Sequence, residues 1–284
     1  MEKTNVICRH SDHHVWYFAY GSNMSSKKFS SRGIVPLASA RVRIPGWILA
    51  CNIPGLPYSE PSFASIVPRN STVQGRHSSI QSDPDVLGVA YLLTRKQYAL
   101  VLGSEGGGTA YEDIEVDAIP IDLEDGQLTG PKVSVKTLGT AIERKPWPKT
   151  SKRYMEIVLE GSRELRLPGD YQKFLEHLPI YVPPQSARGK AGAAVFLALW
   201  GPVMTIMEKV TKATIYDSGA APFWVIVFVR FMMWMIWFTH DVFFAPLFGS
   251  GDGWSEDAGT SSWRQTDEER QALVEKEASS ILDV

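Results

Sequence analysis

The chain has 284 residues, a net charge of −2 and two cysteines. That length suits one large domain or one domain with extensions. The charge balance, without a basic face or a Lys/Arg block, excludes a nucleic-acid binder. Cys8 and Cys51 are too few for a disulfide framework and match no zinc spacing.

The first stretch, 1–14, is a polar tail with no cleavable signal peptide, which points to a reducing, cytosol-facing compartment. His10, His13 and His14 lie in it, but no cysteine or carboxylate spacing completes a metal set, so no metal site is expected. Trp16 to Tyr20 is an unbroken apolar run that reads as a buried strand. Gly21-Ser22-Asn23 stops it, and Met24 to Arg32 reads as a short polar helix closed by Gly33. Two readings of this corner stand side by side. In one it is a tight turn with Ser22 or Asn23 capping the helix. In the other it gathers free backbone N–H groups at the positive end of a helix, fit for a carboxylate or an oxyanion.

Further along, "GWILACNI", "DVLGVAYLL", "EVDAIPI" and "KVSVKTL" read as strands between Gly, Pro and Ser punctuation. The stretch 68–85 is polar and turn-rich, a loop. "SKRYMEIVLEGSREL" and "PGDYQKFLEHL" carry apolar residues at helical spacing. Strands first and helices afterwards predict an α+β domain over 15–185 rather than a βαβ array. Composition then changes. Within an apolar helical region, 186–248, Ala191 to Met207 carries no charge and Ala220 to Phe238 only Arg230. A spanning helix needs about 20 apolar residues, so 191–207 and 220–238 are expected to associate with membrane. Arg188 and Lys190 favour the cytosolic side. Arg230 opposes a simple span at a cost on the order of 3 kcal/mol, and helices lying in the interface or packed on the domain are the alternatives. The tail 249–284 is acidic, nine Asp/Glu against three Lys/Arg, with a capping box at Thr266 and Glu269 predicting one helix.

The second chemical signal is "LGSEGGGTAYEDIEV". Glu105 follows an apolar run and precedes Gly106, Gly107 and Gly108, and a strand resumes at Tyr111. Three glycines let backbone approach a ligand and leave little bulk over the carboxylate. The plain alternative is a hairpin tip with a solvated glutamate. A phosphate loop is excluded, because G-x-x-x-x-G-K-[ST] is absent.

"YGSNM" after a first strand, "LGVAYLLTRKQYALVLGSEGG" some way on, and a tyrosine six positions past the glutamate together resemble the gamma-glutamylcyclotransferases. "RVRIPGWILACN" and "SFASIVP" look like that family's second and third strands, and the two helical segments like its close, so the resemblance covers about Val15 to Pro184. In texture the chain is most similar to fungal members serving sulfur-containing diketopiperazine pathways. The resemblance implies a small β-barrel flanked by helices, to which the composition adds apolar helices at the C-terminal side, outside the resemblance. It also implies release of 5-oxoproline from a small gamma-glutamyl peptide or glutathione conjugate, without a cofactor. Tyr20, Gly21, Ser22, Asn23 and Met24 would bind the gamma-glutamyl group, Glu105 would be the acid–base residue, and Tyr111 would line the site. Two other functions stay open on the same fold: action on gamma-glutamyl amines, and a non-enzymatic binding or membrane-scaffold module. The retained Glu105 counts against the second.

Overall fold

The first strand, β1 (His14–Ala19), is apolar on both faces because both are covered: Tyr17, Phe18 and Ala19 are at most 2% exposed. A computed structural model describes residues 14–70 and 83–254. The rest of the polar N-terminal tail, the middle of the 68–85 loop, and the expected helix in the acidic tail lie outside the described residues.

After β1 come α1 (Ser26–Ser31), β2 (Ala38–Ile44), the hairpin β3 (Trp47–Leu56) and β4 (Glu60–Pro68), and β5 (Val86–Thr94). Then follow α2 (Arg95–Ser104), β6 (Tyr111–Pro120), α3 (Leu123–Thr129) and β7 (Val133–Thr140). Five strands close into a barrel in the order β1-β5-β2-β6-β7. Neighbours run antiparallel except at the seam, where β1 meets β7 in parallel at Tyr17 and Lys136. The strand pair β3–β4 stands outside this ring as its own two-stranded sheet.

β8 (Thr150–Ser151) leads into α4 (Lys152–Glu164), capped by the Ser151 side chain on the Tyr154 amide, and α5 (Gly169–Glu176) and β9 (Ile180–Tyr181) follow. α4 presses close to the turn after β1. A Cβ at Gly161 would stand 2.8 Å from the Met24 Cβ and 3.1 Å from the Ser25 nitrogen, so only glycine permits the approach. The fold is thus the expected α+β barrel with flanking helices. One element departs from expectation. Glu105 follows helix α2, not an apolar strand: the run 86–94 ends at Thr94, whose capping box with Gln97 starts the helix.

The apolar C-terminal region forms a helical pair, α6 (Ala187–Thr214) and α7 (Phe223–Thr239), extended by a π-turn and α8 (Ala245–Phe248). It packs on the barrel domain. Phe196, Trp200, Met207, Met233, Ile236 and Trp237 join Tyr58 in a second core of buried side chains. At roughly 1.5–3 kcal/mol per large buried side chain, an upper estimate, this contact outweighs any single bond at the seam. Polar ties add direction. Arg144 donates to both oxygens of Asp241 at 2.8 and 2.7 Å, and Trp237 Nε1 donates to the Gly55 carbonyl at 3.1 Å. His240 Nε2 accepts from the Gly251 amide at 2.8 Å, so the ring proton sits on Nδ1 and is shared with Asp241 at 2.9 Å.

Candidate active site

The corner after β1 is a 3₁₀ turn, Ser22–Met24, and the helix begins only at Ser26. Neither Ser22 nor Asn23 caps that helix; no side-chain cap bond is made there. The turn itself uses the Met24 and Ser25 amides, which donate to Gly21 and Ser22 carbonyls at 3.0 and 3.4 Å. The Gly21 and Asn23 amides carry no hydrogen bond among the described residues, and the Ser22 amide is drawn to the Tyr154 hydroxyl.

Released from capping, the Asn23 side chain turns inward. Its Nδ2 donates to Glu105 Oε1 and to the Tyr17 hydroxyl, each at 3.0 Å, and its Oδ1 accepts from Arg32 Nη1 at 3.0 Å. Arg32 Nη2 completes the ring by donating to the same Glu105 oxygen at 3.2 Å. Glu105 Oε1 is therefore tethered twice, while Oε2 has no hydrogen-bond partner among the described residues. A carboxylate with one oxygen fixed and one free is held in place yet able to exchange a proton.

Tyr20, Gly21, Ser22, Asn23, Glu105 and Tyr111 all line one cavity of about 640 Å³. Met24 does not. It is 0% exposed, packed in the barrel core against Gly161, and its expected place among the substrate-binding residues is corrected on that ground. The Tyr20 hydroxyl donates to the Leu138 carbonyl, and that of Tyr111 to Ala64 O at 3.1 Å, so both rings act as fixed walls.

Several cavity residues escaped the sequence reading. The Tyr154 hydroxyl accepts from the Ala64 amide at 3.2 Å and lies beside Gly21, where a Cβ would come within 3.1 Å of it. Its own proton has no acceptor among the described residues, and burial pushes the phenol pKa well above the ordinary value, so it stays a donor. Tyr17 is driven up in the same way, first by burial and then by the charge of Glu105. Lys28 also lines the cavity. Burial holds its ammonium below the ordinary lysine pKa, offset in part by Glu105, and it makes no ion pair among the described residues. Only helical spacing marked Tyr154, and nothing local marked Lys28 or Arg32.

The glycines after Glu105 do other work than expected. Their φ values are 89°, 58° and 97°, in the left-handed half of the map where glycine alone is at ease. A Cβ on Gly107 would stand 2.6 Å from the Ala221 nitrogen, so its bare backbone serves the seam with the C-terminal segment, while Gly106 lines the cavity. Those helices supply a further wall of the cavity, through Met204, Met207, Thr211 and Lys212 on α6 and Val229 and Met233 on α7.

Residues 186–247 match the family model described as "AclK C-terminal domain". The chain is 39% identical over 251 residues to "Gamma-glutamyl cyclotransferase aclK" of Aspergillus oryzae, across 85% of this chain and 91% of that one. It is 32% identical over 244 residues to "Gamma-glutamyl cyclotransferase gliK" of Aspergillus fumigatus, across 84% and 89%. A solved structure named "Gamma-glutamyl cyclotransferase" is similar at 18% identity and a TM-score of 0.46, covering 61% of this chain and 91% of its own, too loose a likeness to transfer detail. At the identity and span of the two fungal relatives, the chain belongs to the gamma-glutamyl cyclotransferase family.

Proposed function

We propose that the enzyme releases 5-oxoproline from glutathione-derived conjugates, with Glu105 as the acid–base residue and the Gly21–Asn23 corner as the oxyanion site. The substrate's α-amine attacks its own γ-carbonyl carbon. A new N–C bond closes the five-membered ring, and the bond from that carbon to the leaving amide nitrogen breaks. Nucleophile and electrophile sit on one molecule, so the protein's part is to fold them together. Glu105 Oε2 takes the proton released by the α-ammonium and hands it to the leaving nitrogen. The free amides of Gly21 and Asn23, with the unspent Tyr154 proton, stabilise the charge on the γ-oxygen.

The observation that carries this reading is the half-tethered Glu105, held against the Tyr20–Asn23 corner by Asn23 and Arg32. The cavity volume of about 640 Å³ and the apolar wall from Met204, Met207 and Met233 suit a substrate larger than a dipeptide. The unpaired Lys28 suits one of its carboxylates. The fungal relatives and the matched C-terminal segment agree with a place in secondary metabolism. A panel decides among substrates: gamma-glutamyl dipeptides, glutathione, glutathione S-conjugates with bulky apolar groups, and a gamma-glutamyl-lysine amine. The conjugates should show the highest kcat/KM. Preference for the amine, or no 5-oxoproline from any gamma-glutamyl substrate, overturns the reading.

Membrane attachment is proposed as peripheral. Outward-facing Trp224, Phe231, Trp234 and Phe238 are 42–80% exposed together with Phe223, and three of these rings stack in series. The opposite side of the pair packs helix on helix and on Leu56 and Tyr58 of the β3–β4 hairpin, an arrangement that supports lying in the interface. Vesicle flotation tests it: recovery of the enzyme with anionic liposomes is expected, and its loss in a Trp234→Ser/Phe238→Ser variant. Failure of the intact chain to float sinks the idea.

A further inference from the structure

A lone arginine in the middle of an apolar helix calls for a reason. Arg230 is the only charged residue of α7. It pairs with no acid among the described residues; its Nη2 donates to the Gly108 carbonyl and its Nε to the Thr109 carbonyl, both at 3.1 Å. One residue earlier, the Gly107 carbonyl accepts from the Ala221 amide at 2.8 Å. Three consecutive carbonyls just past Glu105 are therefore held by the C-terminal segment, one by the link before α7 and two by Arg230 on α7.

The segment they hold is tied to α2 at its start, where the Glu105 amide donates to Val101 O and Leu102 O at 3.1 and 3.2 Å and the Gly106 amide to Gly103 O at 3.2 Å. Gly106, Gly107 and Gly108 all sit at positive φ, and a run of glycines loses more conformational freedom on ordering than any other sequence. The Gly107 amide reaches back to Leu102 O on α2 at 2.9 Å, and within the loop the Thr109 amide reaches Gly106 O at 3.2 Å. The carbonyls of 107–109 have their partners on the C-terminal segment. Glu105 caps α2 at the head of this loop, its backbone held by α2 and its carboxylate by Asn23 and Arg32, so a shift of the loop reaches it through Gly106 and Gly107.

We infer that Arg230 is a positioning residue for catalysis. Its guanidinium fork fixes the glycine loop and thereby sets Glu105 against Asn23, making the C-terminal helices part of the active site and not only its anchor. A planar fork suits the task, because two carbonyls from adjacent residues can be met at once. The inference rests on Glu105 being the acid–base residue.

The test uses the full chain with gamma-glutamyl-alanine, following 5-oxoproline by mass spectrometry in wild type, Arg230→Met, Glu105→Gln and the double variant. Circular dichroism and thermal midpoints are measured alongside. In Arg230→Met, kcat should fall about 10–100-fold, the scale on which misplacing a reacting group acts, while KM stays within about threefold because the corner still grips the substrate. Arg230→Lys, which keeps a donor, should recover part of kcat. In the Glu105→Gln background the same change should cost little, since the group it acts through is already silent. An unchanged kcat in Arg230→Met, a rise confined to KM, or an equal loss in both backgrounds overturns the inference while leaving Glu105 in its role. Substantial turnover in Glu105→Gln overturns the acid–base reading and this inference with it. If Arg230→Met does not fold, Arg230→Lys is read in its place; failure of both to fold assigns Arg230 to stability and overturns the proposal.

Discussion

Glu105→Gln isolates proton transfer from placement. Both tethers reach one oxygen of Glu105, Asn23 at 3.0 Å and Arg32 at 3.2 Å. The amide oxygen of glutamine can accept both, so the side chain keeps its position, and its NH₂ replaces the free oxygen that is proposed to carry the proton. Proton transfer by a positioned group is worth ~10²–10⁴-fold. At about 1.36 kcal/mol per tenfold, that is about 2.7–5.4 kcal/mol of barrier. The stability effect is smaller. The Arg32–Glu105 side chains are 23% and 19% exposed, and Arg32 keeps an acceptor, so weakening this partly screened pair costs on the order of 1 kcal/mol or less. Turnover and folding are thus expected to separate by several kcal/mol. The assay is initial-rate 5-oxoproline formation from a gamma-glutamyl dipeptide, with calorimetric substrate affinity and circular dichroism on the same protein. A loss of at least ~10²-fold in kcat is expected, with affinity and fold near wild type. Retention of more than about a tenth of wild-type kcat, outside the range for such a group, refutes the role given to Glu105.

Other perturbations probe the rest of the site. Gly21→Val places its Cβ 3.1 Å from the Tyr154 hydroxyl before its methyl branches are counted; activity should vanish with circular dichroism intact, and outright unfolding would reduce the corner to a structural turn. Asn23→Ala removes a hydrogen bond to a charged group worth about 1.5–3 kcal/mol, so kcat should fall roughly 10–100-fold, and wild-type kinetics would contradict its placement. Lys28→Met removes a desolvated, unpaired cation: KM for conjugates should rise about tenfold while the thermal midpoint holds or rises, and an unchanged KM would free Lys28 of any substrate role. Asp241 is the pH probe. Burial acts to raise its carboxyl, but hydrogen bonds from His240 and Arg144 and the Arg144 charge outweigh it and hold it below the ordinary range. A depressed folded pKa contributes stability above the unfolded value of about 3.9 and loses it as pH falls through the folded one. Asp241→Asn should therefore shallow the acid-side fall of the thermal midpoint, and an unaltered pH profile would deny the pairing its weight.

What could be read from the chain before folding was what depends on neighbours in sequence. β1 announced itself by an unbroken apolar run, and α4 and α5 by helical spacing, because one buried face or two leave a local imprint. Helix α2 also had a local signal, Thr94 and Gln97 three apart, beneath an apolar run that continues from β5 into it. The barrel order was not legible in this way, since β1 joins β5 and β7 across long separations that no local pattern encodes. Asn23 shows why residue chemistry alone misleads. A cap and a catalytic tether need the same short amide, and the choice was made by Glu105 and Arg32 arriving in space.

Arg230 carries the point furthest. Along the sequence it interrupts a hydrophobic run, and a hydropathy scale can only score it as a penalty on insertion, on the order of 3 kcal/mol. The glycines at 106–108 likewise read as room for a ligand. Each was ambiguous because its partner lies 121 or 122 residues away in the chain. Brought together they explain one another: the glycines leave carbonyls bare and a backbone without stiffness, and the arginine supplies donors that a purely apolar helix lacks. The same contact gives the arginine partners inside the protein, and lifting α7 away would leave the guanidinium without its carbonyls and the glycine loop without its anchor. A helix apolar enough to pass for a membrane segment is thus tied at its glycine-loop end to the catalytic domain by the one residue that spoils its hydropathy.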